Sequence, residues 1–190
     1  GNIYLGGTGS SSICIAKFFS DGTLNSSYGA SGKVNMKYNN LTSNLNDMAL
    51  LSDGSIIFTG YLYDTEYQMF LGKIDSNGAF DTTFGTNGAA TVGFPGTDYF
   101  TNMTLQNDGK IVLCGYTVLD VTGNYSDYSI ARFNTDGTLD FDFSNDGKTT
   151  VDFNSDDRPR AINVDNDGNI YLGGSGSSSI CIAKFFSDGT

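Results

Sequence analysis

Residues 1–23 and 168–190 carry the same sequence, GNIYLGGTGSSSICIAKFFSDGT, with Ser175 in place of Thr8 as the one difference. A copy this faithful, 167 residues downstream, reads as a recent duplication. It imposes a period that any fold of this chain must respect. A shorter period nests inside the long one. Gly1, Gly54, Gly109 and Gly168 each open an equivalent segment, at spacings of 53, 55 and 59 residues. After each comes an apolar run ending in glycine: NIYLGG, SIIFTG, KIVLCG, NIYLGG. A second run follows with a small residue before a base, at Ala16-Lys17, Gly72-Lys73, Ala131-Arg132 and Ala183-Lys184. Next stands a polar turn, then an aromatic at Tyr28, Phe84 and Phe143. A third run starts at Gly32, Gly88 and Gly147, and a fourth closes the unit before SDG or NDG.

Each run is short, partly alternating and bounded by Gly, Asn and Asp, the pattern of strands separated by tight turns. Asp-Gly and Asn-Gly supply the positive φ that a hairpin turn needs. Ala, Leu, Glu and Lys are too sparse for helices. The expected fold is all-β: tandem four-stranded antiparallel blades of a β-propeller, open or partial within this chain. With the strand before the NDG turn called A and the next three B, C and D, the chain reads BCD, ABCD, ABCD, ABC, or 14 strands. The repeat units span 1–53, 54–108, 109–167 and, as a near-copy of 1–23, 168–190. Both ends fall inside a blade, so the chain is expected to be a window cut from a longer repeat protein. The independent sequence amounts to three blades.

The stretch of residues 75–116, DSNGAFDTTFGTNGAATVGFPGTDYFTNMTLQNDGKIVLCGY, resembles the bacterial delta-60 repeat. Residues 75–88 and 134–147 carry that pattern best. The first unit departs from it, with Asn25 for the aspartate and Tyr28 for the phenylalanine, and the third has Ser144 where the pattern has glycine. RAINVDNDGNIYLGG also looks like an NHL-type propeller blade. The resemblance implies a β-propeller-like scaffold in a large secreted or surface-attached bacterial protein, and it brings no catalytic residues.

Charge and composition narrow the function. The net charge is −11, with no cluster of Lys or Arg, which argues against nucleic acid as a partner. No apolar run approaches the length of a membrane-spanning helix. There is no His, so a Ser-His triad and most transition-metal sites are excluded. Cys14, Cys114 and Cys181 sit in apolar runs and read as small hydrophobes rather than as a disulfide framework. Asp140 with Asp142, and Asp156 with Asp157, are the carboxylate pairs that a glycosidase or lyase could use. Aspartates in Gly/Asn-rich turns are more often turn formers. Residues 142–147 and 163–168 imitate the start of a calcium loop, but Phe153 and Gly174 stand where its glutamate belongs and the sister units lack the acids. No metal and no cofactor are expected. The in-register bases Lys17, Lys73, Arg132 and Lys184 are expected to pair with neighbouring aspartates rather than to line a groove for an anionic polymer.

Aromatics divide into two sets. Phe18, Phe58, Phe84, Phe133 and Phe143 occupy repeat positions and are expected in the core. Tyr61, Tyr63, Tyr67, Tyr99, Tyr116, Tyr125 and Tyr128 are read as loop residues. The B–C and D–A loops of a propeller share one face, and here those loops vary most in length, which is where binding usually resides. With Asp98, Asp156, Asp157 and Arg158 these tyrosines form the candidate binding set. The function expected is a non-enzymatic structural or adhesive β-propeller module of a large extracellular or cell-surface bacterial protein, making protein or glycan contacts. Its partners would include further copies of the same repeat, in a longer chain or in assembly. A lectin-like carbohydrate-binding propeller is the first alternative, and a polysaccharide lyase or glycosidase the second.

Overall fold

The computed structural model describes residues 1–64, 67–119, 125–176 and 179–190. Their strands fall into four sheets, each antiparallel and ordered as in the chain. Blade 1 holds β1 (Ile3–Gly9), β2 (Ser12–Phe18) and β3 (Lys33–Met36). Blade 2 holds β4 (Thr42–Leu50), β5 (Ile56–Tyr63), β6 (Tyr67–Ile74) and β7 (Ala89–Val92). Blade 3 holds β8 (Thr97–Leu105), β9 (Ile111–Val118), β10 (Ser126–Phe133) and β11 (Lys148–Val151). Blade 4 holds β12 (Arg158–Val164), β13 (Ile170–Gly176) and β14 (Ser179–Phe185). The expected BCD, ABCD, ABCD, ABC order is what the sheets show, and no sheet closes on itself.

Turn chemistry sets the strand ends. At the β4–β5 hairpin Gly54 takes φ +85°, and the Asp53 carboxylate accepts the Ser55 backbone N–H at 2.9 Å. The same device recurs at Asp21 with Thr23, Asp108 with Lys110, Asp136 with Thr138 and Asp188 with Thr190. An aspartate that bonds the backbone two residues on mimics a turn, which explains why nearly all the acid here is Asp.

Alternation along the strands gives each blade two apolar faces. Between blades 1 and 2, Ile13 and Ile15 meet Leu45, Ile56, Phe58 and Phe70. Between blades 2 and 3, Ile57, Met69 and Leu71 meet Phe100, Ile111 and Leu113. Between blades 3 and 4, Val112, Tyr128 and Ile130 meet Ile170, Leu172 and Phe185. Of the five repeat-position phenylalanines, Phe58, Phe84, Phe133 and Phe143 are buried as expected, while Phe18 is half-buried. Its counterpart Phe185 is buried against blade 3; Phe18 occupies the matching face of blade 1, which has no blade on it here.

Two further devices join the blades. The aromatic after each third strand turn reaches forward: the rings of Tyr28, Phe84 and Phe143 pack on Gly78, Gly137 and Gly189 of the following blade, where a Cβ would collide with the ring at Gly137 and Gly189 and with Val34 beside Tyr28 at Gly78. Gly29 N–H donates to Asn77 O, Gly85 N–H to Asp136 O and Ser144 N–H to Asp188 O at the same places. The A strands also bulge, between Leu45 and Asp47, Phe100 and Asn102, and Pro159 and Ala161. Opposite each bulge the B strand carries a glycine, Gly60, Gly115 or Gly174, whose missing Cβ leaves room for the carbonyl of Asn44, Tyr99 or Arg158.

Candidate functional site

The face formed by the B–C and D–A connections carries a continuous strip of aromatic rings. Tyr61 and Tyr63 end β5 and Tyr67 begins β6. Tyr99 and Tyr116 are cross-strand partners on β8 and β9. Ring centroids lie 5.2 Å apart for Tyr61–Tyr67, 4.8 Å for Tyr63–Tyr67, 5.6 Å for Tyr67–Tyr99 and 5.0 Å for Tyr99–Tyr116. The last pair is stacked, at 22°. The Arg158 guanidinium then lies over Tyr116 at 4.7 Å. The strip thus runs from blade 2 across blade 3 to the first strand of blade 4. Its surface-most rings are Tyr63 and Tyr67, which are exposed, while Tyr61, Tyr99 and Tyr116 are half-buried. Burial, and behind it the neighbouring Tyr116 and Tyr67, push the Tyr99 phenol up, so it stays neutral and keeps its O–H as a donor.

The polar end of the strip is held in place. Asp156 accepts the Ser126 hydroxyl at 2.6 Å and pairs with Arg158 Nε at 3.0 Å. The Ser126 hydrogen bond first, and then Arg158, hold the Asp156 carboxyl below the usual range. Arg158 Nη1 also reaches the Tyr116 hydroxyl at 3.4 Å. The guanidinium is therefore fixed against both a carboxylate and a ring face, an arrangement that a lysine could not copy.

Seven of the eleven residues expected at the binding face join this strip: Tyr61, Tyr63, Tyr67, Tyr99, Tyr116, Asp156 and Arg158. The structure corrects their setting, because the five tyrosines stand on strand ends and not in loops. Positions 65–66 and 120–124 of the loops expected between them lie outside the described residues. Tyr125 is exposed just before β10. Three expectations are overturned. Tyr128 is buried in the core between blades 3 and 4: it pairs across β9–β10 with Tyr116 on the same side of the sheet, but there Ile170, Leu172 and Gly174 of blade 4 cover it. Asp98 is buried and accepts the Phe94 backbone N–H and the Thr117 hydroxyl, both at 2.8 Å. Asp157 is buried and accepts the Phe153 N–H. In both blades an aspartate secures the D–A connection, which is a structural task.

The other chemistry-bearing residues are engaged within the fold. Asp140 is buried between Arg132 Nε at 2.6 Å and Lys110 Nζ at 2.8 Å. Burial alone would raise its carboxyl; the hydrogen bonds from Lys110 and Arg132 outweigh burial and hold it below the usual range. Lys73 pairs with Asp81 at 2.9 Å, so the in-register bases pair with aspartates in blades 2 and 3 as expected. In blade 1, where Asn25 replaces the aspartate, Lys17 stands over the rings of Tyr4 and Tyr28. Lys184 likewise sits over Tyr171. All three cysteines are free, and burial pushes the Cys114 thiol up to about 12, far from a reactive thiolate.

Of the two calcium-like stretches, the second is plainly turn chemistry. One Asp165 oxygen takes the backbone N–H groups of Asp167 and Asn169, and the other takes the Asn169 side chain and the Tyr171 hydroxyl. Among the described residues, carboxylate oxygens converge elsewhere: Asp127, Asp152 and Asp157 place one oxygen each within 4.8 Å of one another. Burial, then the charges of Asp152 and Asp157, raise the Asp127 carboxyl. No spacing motif in the sequence marks this trio, since strand pairing is what assembles it.

A comparison with curated proteins gave no match. Residues 51–84 and 106–143 match the family model described as a β-propeller domain of unknown function, DUF5122. Each matched stretch runs from the A–B turn through strands B and C to the aromatic that latches onto the next blade, and with the four sheets it makes the chain β-propeller in type.

Proposed function

We propose that this chain is a non-enzymatic structural and adhesive module of a large secreted or cell-surface bacterial protein, and that the tyrosine strip is its contact surface. The strip itself carries this reading. Five rings and a fixed Arg158 span three blades on one face. Tyr combines a rigid apolar ring with a polar tip, the combination found at interfaces where one end must stay wet. Secretion and a bacterial source rest on the delta-60 resemblance alone. Absence of catalysis is supported by the engagement of Asp140 with two cations and of Asp157 with backbone, which leaves neither pair free as acid and base.

The lectin-like reading is favoured by one observation: an exposed, ring-lined strip ends in the Asp156–Arg158 pair, so apolar sugar faces and hydroxyls would both find partners. A glycan array and a cell-adhesion assay, run with the parent chain and with Y67A and Y116A variants, separate these readings. Array binding lost in both variants supports the lectin. Adhesion lost in both variants without any array binding supports protein contact. Adhesion and array binding unaffected by either substitution would remove the strip from the function.

A further inference from the structure

Blade 2 has blade 1 packed on one face and blade 3 on the other, so the side chains that it still exposes are surface in the stacked array. Two of them, Tyr63 and Tyr67, stand directly opposite each other in the β5–β6 ladder. Residues paired in this way send their side chains to the same side of the sheet. Tyr63 is 42% exposed and Tyr67 40%. Their ring centroids are 4.8 Å apart, the closest of the strip's four contacts, and the rings are tilted by 48°.

A phenol that loses an electron and its proton becomes a phenoxyl radical, with unpaired density on the two carbons beside the oxygen, the Cε positions. Two such rings couple when a Cε of one meets a Cε of the other. The tilted, exposed Tyr63–Tyr67 pair allows that approach. The Tyr61–Tyr67 pair, at 79°, sets the edge of one ring on the face of the other. The Tyr99–Tyr116 pair is stacked face on face and half-buried. Charge directs the oxidation as well. Arg158 lies over Tyr116, and its guanidinium repels the positive charge that develops when that ring gives up an electron. Each ring of the strip touches the next, so a radical formed at one can pass along it. Of the five, Tyr63 and Tyr67 are the exposed rings, where water takes the phenol proton.

We propose that Tyr63 and Tyr67 are an oxidative cross-linking site, at which hydrogen peroxide and a peroxidase-type one-electron oxidant join the two rings as dityrosine. Each phenol gives up one electron and one proton, and the two radicals form a Cε–Cε bond. The hydrogens on the bonded Cε atoms then move to the phenoxyl oxygens as both rings regain aromaticity. One hydrogen peroxide takes up the two electrons and two protons and leaves as two waters. The link closes the β5–β6 hairpin end. A loop of so few residues adds little stability, because the entropy removed from the unfolded chain grows with loop length. Its effect is to fix Tyr67 in place on the strip. The coupling does not depend on what the strip binds, so it stands or falls separately from the adhesive reading.

Treatment of the dilute 190-residue chain with peroxidase and hydrogen peroxide tests this. Glu66 is the one glutamate, so glutamyl endopeptidase, under denaturing conditions that spare aspartate, splits the chain into 1–66 and 67–190. After oxidation the two pieces are expected to stay joined, two hydrogens lighter than their summed mass, and to show the blue fluorescence of dityrosine. Tyr63→Phe, which keeps the ring and removes the phenol, is expected to abolish the joining and leave the melting temperature unchanged. Tyr61→Phe is expected to retain the joining, which separates the pair from its neighbour. Pieces that come apart after a reaction that couples free tyrosine, joining that survives Tyr63→Phe or is lost with Tyr61→Phe, or covalent dimers in place of the intrachain link would each overturn the proposal.

Discussion

Asp140 and Asn25 occupy the same repeat position, and their contrast shows what a single carboxylate does in this fold. Asp140 neutralises a buried Arg132, so Asp140→Ala would leave that guanidinium uncompensated. A loss of about 3–5 kcal/mol is expected, measured as a shift in the urea midpoint. Asn25→Asp would recreate in blade 1 the pair that Lys73 and Asp81 make in blade 2. Its carboxylate could keep the bonds Asn25 Oδ1 now accepts from the Ser27 N–H and hydroxyl. A gain of at most about 1 kcal/mol is expected, since Asn25 is buried and desolvating the new carboxylate offsets much of the attraction to Lys17. Asp127 behaves in the opposite sense. Its carboxyl titrates above 3.8 in the folded chain, so the ionised form costs stability as pH rises through the raised value. Asp127→Asn should therefore stabilise the chain at neutral pH, by about 1 kcal/mol, and the gain should vanish in acid. The lowered aspartates, among them Asp81, Asp140 and Asp156, stabilise above 3.8 and lose that contribution as pH falls through their folded values. Unfolding monitored by circular dichroism is expected to set in below that point.

At the scale of strands and turns, the bulge-facing glycines are the positions most intolerant of change. A Cβ at Gly115 would collide with the Tyr99 carbonyl and the Phe100 backbone. Gly115→Ala is expected to cost roughly 1–3 kcal/mol, because backbone rather than a flexible side chain must move. Gly7→Ala, at the matching position of blade 1 where a Cβ meets nothing within 4 Å, is expected to be neutral in thermal denaturation of this 190-residue chain. Strand order and turn chemistry were legible in the sequence, because Asp-Gly turns and alternation are local properties. The bulges were not legible: nothing in Leu45-Asn46-Asp47 announces one, and only the pairing of β4 against β5 reveals the register shift. The tyrosines were misplaced into loops for a related reason. Strands β5 and β9 continue past their terminal glycines, Gly60 and Gly115, because antiparallel partners on both sides extend the ladder.

For the whole molecule, the core clusters among the described residues lie between blades that are neighbours in the chain, so stability is expected to be a sum of blade and interface contributions. The tyrosine strip is a product of that stacking. Tyr67 belongs to blade 2 and Tyr99 to blade 3, so their 5.6 Å contact exists only because the blades are in register. If a ligand engages the strip, Tyr67→Ala should weaken binding by about 1 kcal/mol, roughly fivefold, read by calorimetry, without a matching loss of stability, since Tyr67 is exposed.

The repeat by itself determined the fold class, the number and order of strands and the nested periods, because turn residues and alternation act over a few positions and a duplicated sequence must fold alike. It also determined which face would gather the tyrosines. Tertiary structure alone decided which candidates face solvent. Tyr128 is covered by blade 4, and Asp98 and Asp157 are drawn into the D–A connections, because the neighbouring blade and the local hydrogen bonds, not residue type, decide burial. It alone decided, too, that two copies of one sequence end up with opposite faces covered, since each has a different neighbour.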